Sequence, residues 1–193
     1  MKRTAVDPRR MTLRLVLDAL FAALYVIFAV YLTVKTPVTE LSLSTLPLLF
    51  SGFLFGPGDA VLVAAVGSFI EQLCFGLSPT APIWMLPPIL AALAAGLLGH
   101  PIRAVSARRM GRVRADRAVL AVVSTLLVEL LCTVANTAAL YLDGHICGYS
   151  VAALSLLLLP RLINLGLRAA VSCIVVPLLL PRIQKLMSKR NLS

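Results

Sequence analysis

Three polar residues interrupt the last apolar run of the chain: Arg161, Asn164 and Arg168, at offsets 0, 3 and 7. On a helix those offsets fall on one face. Glu129, Thr133 and Asn136, at offsets 0, 4 and 7, form a second such face, and Ser68, Glu71 and Gln72 cluster in a third segment. Acids, amides and guanidinium groups in this pattern suit the binding of a polar or charged small molecule. An arginine grips a carboxylate through its planar fork, with two parallel N–H donors. Nothing in the set suggests covalent chemistry. No GxSxG or HExxH stretch occurs, and there is no GxxxxGK[ST] loop for ATP. His100 and His145 are too far apart to suggest a metal site. The four cysteines, Cys74, Cys132, Cys147 and Cys173, lack CxxC spacing and read as small apolar residues. No cofactor or metal is expected, and no enzymatic activity.

The segments that carry these groups are those of a membrane protein. The chain is 60% hydrophobic and only 13% charged, where a soluble domain is nearer a quarter charged. The expectation is a single all-α integral membrane domain over residues 1–193, a bundle of six transmembrane helices. The spans are expected at about Leu15–Leu32, Leu46–Phe55, Ala60–Phe75, Ile83–Leu98, Ala118–Tyr141 and Arg161–Pro181. "GPG" at 56–58 and "DGHICGY" at 143–149 read as turns, and Pro160 as the break before the last span.

Basic residues set the orientation. Five precede the first span, six lie between the fourth and fifth, and four follow the sixth, so 15 of the 18 Lys and Arg share one side. By the positive-inside rule both termini are cytoplasmic. Topology thus accounts for the net charge of +10, and no nucleic-acid partner is needed.

A charged residue near a bilayer centre costs roughly 2.5–3.5 kcal/mol on insertion scales, so the polar faces should meet each other or a water-filled cavity. Depth suggests the pairing. Glu129 lies about 11 residues in from Ala118 and Arg168 about 13 in from Pro181, on the order of the same level at ~1.5 Å per residue. Glu71 is a second candidate partner for Arg168, and Asn136 stands near the level of Arg161. Arg161 has no acid at its depth, so it is the candidate contact for a ligand carboxylate. The ligand-binding set is therefore Arg161, Asn164, Arg168, Glu71, Gln72, Glu129, Asn136 and Trp84, the last as an interfacial anchor or a pocket wall. In the first span Ala19, Ala22 and Ala23 form a small-residue face of the AxxxA kind, suited either to packing within the bundle or to docking on another membrane subunit.

The stretch "LPLLFSGFLFGPGDAVLVAAVGSFIEQL", the AxxxA spacing and the six short spans resemble the substrate-binding S components of energy-coupling factor (ECF) vitamin transporters. "LPLLFSGFLFGP" and "LLPRLINLGLRAAVSCIVVPLLL" are similar to the folate branch of that family, while "SPTAPIWMLPPIL" before span four departs from it. The resemblance implies a bacterial cytoplasmic-membrane subunit that binds a small anionic vitamin, folate or a relative such as pantothenate. It implies as partners a transmembrane T component, docked on the alanine face, and two cytoplasmic ATPase subunits. The competing class is a non-transporting six-helix membrane scaffold, of the kind associated with morphogenesis.

Overall fold

The computed structural model describes residues 8–35, 40–107, 113–148 and 154–189. Of the basic residues counted above, Lys2, Arg3, Arg108, Arg109, Arg112 and Arg190 lie outside the described residues. The chain forms α1 (Pro8–Val26), a π-helical turn (Ile27–Tyr31), a two-residue antiparallel ribbon of β1 (Val34–Lys35) and β2 (Glu40–Leu41), α2 (Thr45–Leu54), α3 (Pro57–Phe75), α4 (Ala81–Ala107), α5 (Val113–Cys147) and α6 (Leu154–Lys189). The ribbon pairs Val34 with Leu41 and Lys35 with Glu40, a small departure from the all-α expectation.

Helices α6 and α1 bury polar residues and expose large apolar ones. On α6 the buried stripe is Asn164, Arg168, Ser172, Val176 and Leu180, at strict four-residue spacing, whereas Leu162, Ile163, Leu167, Ile174 and Leu178 are exposed. On α1 the buried stripe is Asp18, Ala22, Tyr25 and Ala29, and Leu15, Val16, Leu20 and Ile27 face out. Exposed leucines and buried arginine would be untenable in water and are the expected arrangement in a bilayer.

Among the described residues, five helices are long and apolar enough to cross a membrane. The second expected span is not among them. With 10 residues α2 covers only ~15 Å, about half of a hydrocarbon core. Nine of its ten residues are buried, so it lies inside the bundle rather than in lipid. Two further boundaries differ from expectation. "DGHIC" is helical and extends α5 to Cys147, after which Gly148 ends the helix with φ +72°. Pro160 does not break α6, which starts at Leu154. Pro160 removes only its own bond to the Leu156 carbonyl, and the helix continues on either side of it.

Helix α2 is the axis of the packing. It touches every other helix, while α1 packs on α2 and α3, and α6 on α5 and α2. Its contact with α4 is nearly backbone to backbone: a Cβ on Gly52 would stand 2.7 Å from Cβ of Ala95, and at the start of α3 the same closeness recurs, where a Cβ on Gly96 would overlap the Pro57 backbone. Such approach is what small residues permit between membrane helices. Gly56, at φ +116°, makes the sharp reversal from α2 into α3.

Directions alternate along the chain. The end of α1, the start of α2, the end of α3, the start of α4, the late part of α5 and the early part of α6 all border one cavity. At the far end stand Arg14, 3.9 Å from Asp59, and Arg117, whose Nη1 donates to Oε1 of Gln184 at 3.4 Å. Arg103 is there too, bonded to the α2 terminus.

Candidate ligand cavity

The cavity has a volume of about 650 Å³, in the range of small-molecule sites. Seven of the eight residues singled out from sequence line it: Glu71, Gln72, Trp84, Asn136, Arg161, Asn164 and Arg168. Glu129 is not on the wall. It lies behind it, 0% exposed, and holds Arg168 in place.

The geometry behind the floor is closed. Oε2 of Glu129 accepts from Nη2 of Arg168 at 2.6 Å and from Nε at 3.1 Å. Oε1 accepts from the Thr45 hydroxyl at 2.7 Å and the Ser172 hydroxyl at 3.0 Å. One carboxylate of α5 thus receives four hydrogen bonds from two other helices, one from α2 and three from α6. This meets the condition on which a buried ion pair avoids a net desolvation penalty. The pairing expected from depth is present, and the partner is Glu129. Glu71 has a different neighbour, accepting from the Tyr25 hydroxyl at 2.7 Å. Tyr25 fits there because Gly67 carries no side chain: a Cβ would stand 2.7 Å from Cδ1 of the ring.

Arg161 is held differently. Its Nη1 donates to the Thr137 hydroxyl at 2.8 Å, so its partner is one residue beyond the expected Asn136. Asn136 itself donates to the Cys132 sulfur at 3.4 Å. Nε of Arg161 is buried and has no hydrogen-bond partner among the described residues. The two arginines therefore differ at the cavity: Arg168 is paired with Glu129, whereas Arg161 has no acid partner among the described residues.

Trp84 is half-buried and faces the cavity together with Phe75. Beside them the π-helical turn of α1 brings Ala29 and Thr33 to the wall. Thr33 Oγ1 donates to the carbonyls of Phe28 at 3.1 Å and Ala29 at 2.5 Å, and Ser42 adds a bond to the Phe28 carbonyl at 3.2 Å. These bonds satisfy carbonyls that a π turn displaces from the regular ladder. Tyr25, Thr45, Ser172 and Thr137 were not singled out from sequence. Each is an isolated hydroxyl in an apolar helix, and only the tertiary fold reveals its partner.

The alanine face of α1 divides. Ala19 and Ala23 are exposed on the outside of the bundle, next to Leu15, Val16 and Leu20. Ala22 is 4% exposed and packs inward with Tyr25, Ala60 and Ala64, so it belongs to the interior of the bundle.

The signature of the family described as "ECF transporter, substrate-specific component" matches residues 13–180. The chain belongs to this family. As an S component it is the substrate-binding subunit of its transporter and a multi-pass membrane protein. Two solved structures resemble the S component in fold. The crystal structure of FolT bound with folic acid aligns at TM-score 0.62 and 22% identity, over 84% of this chain and 89% of that one. The S component of a bacterial ECF transporter aligns at TM-score 0.59 and 18% identity, over 92% and 98% of the two chains. No curated protein matches the S component in sequence.

Proposed function

We propose that this S component captures an anionic, water-soluble vitamin of the folate kind from outside the cell, with the ligand carboxylate on Arg161. The observation that carries the reading is a guanidinium at the cavity that, among the described residues, has no acid beside it and a buried Nε donor without a partner. Arg161 supplies a charge-assisted anchor for an anion. Trp84 and Phe75 offer aromatic faces at the same cavity, and Glu71 and Gln72 offer acceptors for the N–H edge of a heterocycle. The fold likeness to a folic acid-bound FolT supports a ring-bearing ligand over pantothenate, which has no ring to stack. Titration of the detergent-purified protein with folic acid and with pantothenate tests this. Folic acid should bind and pantothenate should bind more weakly. Tighter binding of pantothenate would redirect the reading to that vitamin, and failure of both would remove it.

In this reading the cavity opens outward, both termini are cytoplasmic, and import is driven by two cytoplasmic ATPase subunits through a membrane-embedded T component. The basic residues at the end remote from the cavity support that orientation. Ala19 and Ala23, exposed side by side with leucines, are the proposed docking face for the T component. Ala19→Val with Ala23→Val should leave vitamin binding by the isolated subunit unchanged while uptake by the assembled complex falls several-fold. Unchanged uptake and assembly would place the docking face elsewhere.

A further inference from the structure

We propose that helix α2 is a rigid link through which the inner end of the bundle sets the floor of the cavity, with Thr45 and Arg103 as its two positioning residues. This inference rests on the cavity being the ligand site. Arg103 grips the lower end of α2. Its Nη1 donates to the Gly52 carbonyl at 2.6 Å and to the Phe53 carbonyl at 3.3 Å, and its Nη2 to the Gly96 carbonyl of α4 at 3.1 Å. The Gly52 and Phe53 carbonyls belong to the last turn of α2, where a cation both satisfies unpaired acceptors and opposes the helix dipole. Thr45, the first residue of α2 and 4% exposed, donates to Glu129, and Glu129 fixes the guanidinium of Arg168 at the cavity floor. Between the two ends lie ten residues, about 15 Å of helix. The close approach of Gly52 to Ala95 and Gly96 holds that segment tightly against α4, and the Gly96–Pro57 contact holds the reversal that follows it. A force that shifts the α2–α3 reversal at the inner surface is therefore delivered to the Thr45 hydroxyl. Loss of that bond would leave Oε1 of Glu129 with the Ser172 hydroxyl alone and let the carboxylate and the Arg168 fork turn.

Two substitutions, one at each end of α2, test the link. Thr45→Val keeps the shape and removes the donor, Thr45→Ser restores it, and Arg103→Gln weakens the grip on the carbonyls. Arg103→Lys retains a cation and serves if the glutamine variant does not fold. One readout needs no ligand: the labelling rate of Cys132, which lines the cavity, by a water-soluble methanethiosulfonate reagent in a chain lacking Cys74, Cys147 and Cys173. The second readout is folic acid affinity. Thr45→Val should raise the labelling rate and weaken binding by about tenfold, and Thr45→Ser should return both near wild type. Arg103→Gln, or Arg103→Lys to a lesser degree, should shift both readouts in the same direction without touching the cavity. The double variant should do no more than the worse single one, because contiguous elements couple where independent sites add. Wild-type labelling and affinity in the Arg103 variants would overturn the link, as would a double variant equal to the product of the singles. If wild-type protein binds no folic acid, the ligand reading fails while the labelling data still decide the link.

Discussion

Purified Arg168→Ala protein should be recovered at a small fraction of the wild-type folded yield, and adding Glu129→Gln to the same chain should restore part of it. The reason is a carboxylate with no route to water. Glu129 is 0% exposed, and both bonds to one of its oxygens come from Arg168. Removing the guanidinium strands a buried negative charge, a loss of roughly 3–5 kcal/mol against total stabilities of about 5–15 kcal/mol. Thr45 and Ser172 remain as donors to the other oxygen, but two neutral hydroxyls do not compensate a full charge at that depth. Glutamine in place of Glu129 removes the charge while keeping an oxygen for the two hydroxyls. Size-exclusion recovery and thermal melting in detergent read the effect. An Arg168→Ala protein as stable as wild type would mean that water or lipid headgroups already reach Glu129.

The second large effect belongs to ligand affinity. Arg161→Ala should bind folic acid at least tenfold more weakly than wild type, and Arg161→Lys should fall between them. A hydrogen bond to a charged group contributes about 1.5–3 kcal/mol, and each ~1.4 kcal/mol is a factor of ten. Lysine keeps the charge but loses the planar fork and the Nε donor that points from inside the wall. Folding should survive the change. Arg161 is only partly buried and its bond from Nη1 goes to a neutral hydroxyl, so no charge is stranded when it leaves. Equal affinity in Arg161→Ala and wild type would make Arg161 a membrane-interface residue and move the ligand anchor elsewhere in the cavity. The two arginines, seven residues apart on one helix, thus separate by experiment: one variant loses protein and the other loses ligand.

Sequence alone reached the Glu129–Arg168 pair because a charge in lipid must be met and because helix rise converts residue counts into depth. The same arithmetic missed the Thr45 and Ser172 contributions. A hydroxyl in an apolar helix can bond its own preceding turn, so its presence does not imply a distant partner. It also misjudged α2, since ten apolar residues bounded by turns look like a short span and nothing local says whether lipid or protein surrounds them. The same holds for Ala22: its spacing beside Ala19 and Ala23 marks a close-approach face, but which helix approaches is a property of the whole bundle. Pro160 and "DGHIC" were misplaced for a related reason. Local breaker chemistry was weighed without the packing that carries α5 to Cys147 and α6 through Pro160.

The short length of α2 reaches beyond stability. This helix starts at Thr45, on the cavity wall, and runs away from the cavity toward the Gly56 reversal. A full-length neighbour would fill the bundle above it. The omitted half is a cylinder about 15 Å long and 10 Å wide, on the order of 1,000 Å³, and the cavity takes up about 650 Å³ of comparable space. Room for cargo is then governed by how many residues one buried helix has, before any side chain on the wall is chosen. Among relatives sharing this scaffold, adding or deleting a turn between residues 41 and 45 would resize the compartment by about 5.4 Å steps along its axis. Substitutions on the walls would tune only what the resized space prefers.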